Sequence, residues 1–80
     1  MEAHHLALQH LRAGNWQAAH VLVQALEDKL ASHLHALVHR LEGDQDNARY
    51  WYGRAGIRFD PSLSVIDELD ALEQNWPTGL

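Results

Sequence analysis

Apolar residues recur every three or four positions along most of this chain, which is the spacing of amphipathic α-helices. The most regular stripe lies in residues 30–41, and lone glycines at positions 14 and 43 stand where the first and third helices should end. The pattern predicts an all-α fold of two stacked antiparallel helical hairpins and a C-terminal capping helix. The predicted elements are a hairpin over residues 3–28, a hairpin over residues 30–56 and a capping helix over residues 61–75, within a single domain of residues 1–80.

Residues suited to cap helices stand at the predicted helix starts. Asn15 and Asp44 each follow a glycine, and such side chains accept hydrogen bonds from the free amides of a helix's first turn. Asp60 followed by Pro61 marks the start of the fifth helix, because proline is favoured at the first helical position. The faces predicted to be buried are, in helix order, His4, Ala7, Leu8 and Leu11; Trp16, Ala19, Val23 and Leu26; Leu30, Leu34, Leu37, Val38 and Leu41; Ala48, Trp51, Tyr52 and Ala55; and Val65, Ile66, Leu69, Leu72 and Trp76.

The chain nearly repeats itself after 29 residues. The recurring residues are His4, Ala7, Leu8, His10, Gly14 and Ala19, which return as His33, Ala36, Leu37, His39, Gly43 and Ala48. Internal similarity at a fixed period is typical of a supersecondary unit that buries its apolar face against a copy of itself. The repeat therefore favours a scaffold over a catalyst.

Composition restricts how such a small fold can be stabilised. The chain has 80 residues and no cysteine, so disulfides and thiolate metal sites are excluded. A domain of this size buries only about 60% of its unfolded surface, which makes self-association as a homodimer an expected source of further stability. We find neither a secretory signal nor an apolar run of about 20 residues, so we expect a cytoplasmic protein without membrane association.

The net charge of −5 is unevenly distributed. Residues 59–80 contain five acidic residues and no lysine or arginine, whereas residues 1–58 are balanced. This distribution argues against nucleic acid as a partner, because nucleic-acid-binding surfaces need clustered basic residues. The acidic fifth helix either solubilises the exposed side of the cap or meets Arg49, Arg54 and Arg58 of the same or a second molecule.

Two short segments resemble the centre of a tetratricopeptide repeat, in which a Gly-Asp turn precedes an alanine five residues after the glycine. They are residues 14–19 and 43–48, and Tyr52, Ala55 and Pro61 follow the second segment at the spacings of that repeat. The resemblance implies stacked helix-turn-helix units. The period of 29 residues is shorter than the usual ~34, so we expect a shortened loop between the units.

A second resemblance covers residues 14–56 and is to a group of short, mainly bacterial proteins of uncharacterised function. That group carries a Trp-x-x-Ala-His element followed by His-Arg-x-Glu-Gly-Asp and Asn-Ala-x-Tyr-Trp-Tyr. The matching segments here are residues 16–20, 39–44 and 47–52. This resemblance implies a fold and brings no activity with it.

A stripe of histidine and carboxylate side chains on the third helix is a candidate metal site. His35 and His39 lie one helical turn apart and Glu42 follows three residues later, and neutral imidazoles at this spacing can chelate a divalent ion. His20 on the neighbouring helix completes the set if it turns inward. The alternative is that these residues border the core and hydrogen-bond to one another or to water.

A second polar stripe lies on the predicted fourth helix. Asn47, Tyr50 and Arg54 share one side, and with Arg40 they suggest an interaction site or a buried polar network that sets helix orientation. Residues 49–59 interleave arginines with aromatic side chains as base-stacking platforms do, but the helical pattern turns part of these aromatics toward the core.

No Ser-His-Asp set, cysteine nucleophile or phosphate-binding glycine loop is recognisable, so we predict no catalytic residue and no organic cofactor, and an enzyme is not favoured. We predict a small helical-repeat scaffold or protein–protein interaction module, whose protein partner the sequence does not identify. The alternatives are a metal-binding or metal-dependent protein that uses the third-helix cluster, and a small-ligand binder or enzyme that uses the second polar stripe.

Overall fold

The structure is a computed structural model that describes residues 2–76. Within that range the chain forms five α-helices and no β-strand, which confirms the predicted all-α class. The helices are α1 Glu2–Arg12, α2 Trp16–Val23, α3 Lys29–Glu42, α4 Gln45–Ala55 and α5 Val65–Gln74. None of these described helices is long and apolar enough to cross a lipid bilayer.

Helix α3 is the centre of the fold. It contacts each of the other four helices, and every residue from 31 to 39 is buried. Helices α1 and α2 form one hairpin, α3 and α4 form the second, and α5 packs on α1 and α3. The residues of the main apolar core are Ala7, Leu8, Leu11, Ala19, Val23, Leu34, Leu37, Val38 and Leu69.

Glycines and polar caps bound the hairpin turns as predicted. Gly14 and Gly43 have φ angles of 77° and 91°, a left-handed conformation that glycine adopts without strain. The side chain of Asn15 accepts a hydrogen bond from the amide three residues ahead at 3.4 Å, and Asp44 does the same at 3.2 Å. Each glycine therefore ends one helix of its hairpin, and the polar residue after it starts the next.

Helix α2 is shorter than the apolar pattern predicts, because it ends at Val23. Asp28 caps α3 by accepting a hydrogen bond from the Ala31 amide at 2.8 Å, and its own backbone is extended. A capping residue has non-helical dihedral angles, so the chain has to leave helical geometry before Asp28. Leu26, predicted on the buried face of α2, consequently lies in the connecting loop and is only partly buried.

Helix α5 begins at Val65 and not at the predicted Pro61. The carboxylate of Asp60 accepts hydrogen bonds from the amide and the hydroxyl of Ser62, which makes a local turn in place of a helix start. Ser64 is the N-cap of α5, and its hydroxyl accepts a hydrogen bond from the amide three residues ahead at 3.0 Å. Asp60 and Ser64 are both suited to cap a helix, and the helix begins after Ser64.

Polar as well as apolar contacts attach α5 to the rest of the domain. On its predicted apolar face Leu69 is fully buried, but Ile66 is 49% exposed, contrary to prediction. The carboxylate of Glu68 is surrounded by His33 Nε2 at 2.7 Å, the Arg40 guanidinium at 2.9 Å and the Tyr52 hydroxyl at 2.8 Å. Burial alone would raise the pKa of Glu68, but these hydrogen bonds and the nearby charge of Arg40 outweigh it and lower that pKa.

Two further acidic side chains of α5 pair with an arginine of α1. Arg12 on α1 donates to Asp70 at 2.8 Å and to Glu73 at 2.6 Å. Glu68, Asp70 and Glu73 of α5 thus meet arginines on α3 and α1, whereas Asp67 is exposed. Among residues 2–76 the predicted alternative partners form no ion pair with α5; they are Arg49, Arg54 and Arg58.

Candidate metal centre

Three histidines from two helices converge where the two hairpins meet. His20 belongs to α2, and His35 and His39 belong to α3. One ring nitrogen from each lies within 4.8 Å of those from the other two. Nε2 of His20 lies 3.1 Å from Nε2 of His35, which is a hydrogen bond between two imidazoles. The three histidines selected from the sequence are therefore neighbours in space.

Helical geometry explains this convergence in part. Residues four apart in a helix lie above one another on one face, which aligns His35 with His39. Because α2 packs against α3, His20 reaches the same face from the other hairpin. His35 and His39 are only 4% and 8% exposed, whereas His20 is partly buried. The cluster is thus mostly inside the fold, and His20 lies at its edge.

An aromatic side chain fixes the orientation of His35. Trp51 on α4 stacks on its ring with the ring centres 3.8 Å apart and the planes 9° apart. The ring of His39 lies 5.0 Å away at an angle of 20°. Within residues 2–76 the buried Nδ1 atom of His35 has no hydrogen-bond partner. The sequence pattern identified Trp51 as a core residue, but its contact with the histidine cluster depends on how α3 and α4 pack.

His35 is neutral at neutral pH. Burial, and after it the charges that His20 and His39 carry when protonated, lower the pKa of His35 to about 4. A neutral imidazole has one unprotonated ring nitrogen, and that is the form that coordinates metals. This buried side chain can therefore act as a ligand without first losing a proton.

Glu42 contacts the cluster through His39. Its Oε1 atom lies 2.7 Å from Nδ1 of His39, which leaves Nε2 of that ring free to bind elsewhere. Carboxylates in this position orient metal-ligating histidines and fix their tautomer. The sequence suggested Glu42 as a third ligand; in the structure its carboxylate is hydrogen-bonded to His39, and it also belongs to the second group of possible ligands.

A second group of possible ligands overlaps the first. His39, Glu42 and Asp44 also bring one donor atom each within 4.8 Å of one another. Both carboxylate oxygens of Asp44 already accept hydrogen bonds from Asn47, one from its backbone amide at 3.2 Å and one from its side chain at 2.8 Å. These hydrogen bonds lower the pKa of Asp44 and keep it in its role as the cap of α4. The three-histidine group is therefore the better candidate.

The nitrogens of His20 and His35 lie close to the spacing that a metal ion requires, whereas that of His39, within 4.8 Å of both, has to approach them more closely. A tetrahedral ion with metal–nitrogen distances of about 2.0–2.1 Å holds its ligand nitrogens roughly 3.3–3.4 Å apart. The two Nε2 atoms of His20 and His35 are 3.1 Å apart. If these two nitrogens moved apart by a few tenths of an ångström, two coordination bonds to the ion would replace the hydrogen bond between the imidazoles.

The second polar stripe does not form a single buried site. Tyr50 is 54% exposed and accepts a hydrogen bond from Arg54 at 3.0 Å, also at the surface. Asn47 is exposed and bonds within the cap of α4. Arg40 lies apart from them, in the contacts around Glu68. The four residues, predicted as an interaction site or a buried polar network, are therefore separated into surface contacts and an attachment point for α5.

Comparisons of the chain with protein-family models, with curated proteins and with solved structures each gave no match. Its function has to be argued from the side chains that the fold brings together.

Proposed function

We propose that this domain binds one divalent transition-metal ion through His20, His35 and His39, with Glu42 orienting His39. The observation that carries the proposal is the convergence of three histidine nitrogens within 4.8 Å of one another, from two helices of different hairpins. A hydrogen bond between two histidines accounts for one pair of these nitrogens only.

The donor set favours particular metals. Imidazole nitrogen suits zinc, copper, nickel and cobalt, whereas magnesium and calcium prefer oxygen ligands. The best-placed carboxylates, Glu42 and Asp44, are already engaged with His39 and Asn47. We therefore expect zinc or nickel to bind and magnesium not to bind.

Metal binding at this position would also stabilise the fold. The ion would join α2 to α3 and so connect the two hairpins. Binding to the folded state alone stabilises it by about 2.7 kcal/mol when the free ion is at 100 times its Kd. In a domain of this size that corresponds to a rise in Tm of roughly 10–20 °C.

Isothermal titration calorimetry and thermal unfolding with zinc or nickel test the proposal on metal-stripped protein. We expect one ion per chain and a higher Tm, both lost in His20→Gln and in the His35→Ala, His39→Ala double variant. His10→Ala is the matched control, because it removes a histidine outside the cluster. The glutamine variant alters only a half-buried side chain, so it separates loss of a ligand from loss of folding. Unchanged Tm with zinc and with nickel, and no binding heat, would refute the proposal.

A further inference from the structure

We infer that an ion bound by His20, His35 and His39 keeps one coordination position for a small exogenous ligand, either water or a monodentate anion. This inference rests on the proposed metal binding and states what the bound ion would do. Sites in which zinc has a structural role use four protein ligands, whereas three protein ligands leave a position for an exchangeable ligand.

Few protein donors are available for a fourth coordination position. Within residues 2–76 the groups of possible ligands are the three histidines and the overlapping group of His39, Glu42 and Asp44. Glu42 is engaged with Nδ1 of His39, and both oxygens of Asp44 are engaged with Asn47. Either carboxylate would have to give up a hydrogen bond it already makes before it could complete a four-ligand set.

The bound ion would be accessible from the side of His20. Trp51 stacks on one face of the His35 ring and holds its nitrogens in a fixed plane. His20 is only partly buried, and the cluster reaches the surface at this residue. The free position is therefore expected near His20.

The charge of the bound ion determines which kind of ligand fills the free position. Three neutral imidazoles leave the double charge of the ion uncompensated, and the nearest carboxylate, Glu42, supplies one negative charge through His39. A bound cation is the largest local charge at such a site and attracts an anion. The exogenous ligand is therefore a small anion when one is available and water otherwise.

The test uses cobalt(II), whose visible spectrum responds to its ligands, and azide as the monodentate anion. Calorimetry first establishes that cobalt binds to the full chain. We then expect azide to change the visible spectrum of the cobalt-loaded protein until one azide is bound per ion. The sedimentation coefficient should stay the same, because the protein does not change its oligomeric state. His10→Ala should behave in the same way as the unaltered chain.

Two results would overturn the inference while leaving metal binding intact. One is a cobalt spectrum that azide does not change. The other is cobalt-dependent dimerisation together with an azide-insensitive spectrum, which would mean that a second molecule supplies the fourth ligand. If calorimetry shows no cobalt binding, the proposed function itself fails and the inference fails with it.

Glu42→Gln adds a further test. If Glu42 only orients His39, cobalt affinity should fall about 10- to 100-fold while azide still binds to the loaded protein. If azide binds to the loaded variant but not to the loaded unaltered chain, Glu42 itself occupies the fourth position, and the inference is wrong.

Discussion

Replacing Glu68 by alanine is expected to destabilise the attachment of α5 to α3 and α4. The side chain is 12% exposed, and it joins α5 to α3 and α4 through contacts of 2.7–2.9 Å with His33, Arg40 and Tyr52. Removing one partner of a buried ion pair costs about 3–5 kcal/mol, because the other charge stays buried without a partner. A domain of 80 residues has a total stability of roughly 4–12 kcal/mol, so this loss is a large share of it.

Urea unfolding followed by circular dichroism measures the loss of unfolding free energy. Hydrogen exchange of the backbone amides shows whether that loss is concentrated in α5. We expect α5 to exchange faster than α3, since Leu69 is the one residue of α5 that is fully buried. Glu68→Gln keeps the acceptor oxygen and should cost less, about 1–2 kcal/mol. Asp67→Ala is the matched control on the exposed side of the same helix and should change stability by about 0.5 kcal/mol or less. Equal urea midpoints for Glu68→Ala and Asp67→Ala would refute the reasoning.

Three further predictions concern the core, the pH dependence and self-association. Leu34 is fully buried in α3, so Leu34→Ala should destabilise the domain by about 2–5 kcal/mol in urea unfolding, and an unchanged midpoint would contradict its place in the core. The lowered pKa of His35 means that the folded protein resists protonation there, so stability of the metal-free protein should be complete above its ordinary pKa of 6.5 and fall as pH drops toward about 4. The lowered pKa of Glu68 adds stability that is present above about pH 4.5 and lost below it. Burial alone would raise the pKa of Asp28, but hydrogen bonds with the Ala31 amide and with His4 outweigh it and lower that pKa, so its contribution is lost below about pH 3.8. A flat stability profile between pH 7 and 3 would refute these assignments. The predicted homodimer should appear in light scattering as twice the chain mass and, if charge sets its register, weaken with salt; monomer at high protein concentration and low salt would argue against it.

Much of the architecture could be predicted from the sequence because the signals are local. Helical spacing of apolar residues, a glycine that can adopt positive φ, and a capping side chain each act within a few residues. The turns at Gly14 and Gly43 are therefore where the pattern placed them. The errors occur where two local signals compete, as at Asp60 and Ser64, and where a cap such as Asp28 shortens the helix before it.

The candidate site was only partly predictable. The spacing of His35 and His39 follows from one helix, but the contact of His20 with His35 depends on how one hairpin packs on the other. Stacking of Trp51 on His35 likewise requires α4 to lie against α3. The partners of Glu68 were missed entirely, because a charged residue on an acidic helix gives no local sign that its carboxylate will be buried.

The near-repeat of 29 residues includes apolar core positions but few residues of the histidine cluster. Paired positions such as Leu8 and Leu37 are buried in both halves, in keeping with a common hairpin plan. The site residues do not follow the repeat, with the exception of His39, whose counterpart is His10. The residues that stand 29 positions away from His35, Glu42 and His20 are Leu6, Ala13 and Arg49. The second hairpin and one residue of the first therefore form a cluster that the repeat itself does not contain.

The sequence alone determined the helical class, the hairpin turns and the two histidines on one face of α3, because each depends on backbone geometry over a few residues. The tertiary structure decided which side chain meets that pair, which aromatic ring covers it, and that Glu68 is buried among groups from two other helices. These contacts join residues 15 or more positions apart along the chain. Their geometry depends on the relative placement of whole helices, and local spacing carries no record of that placement.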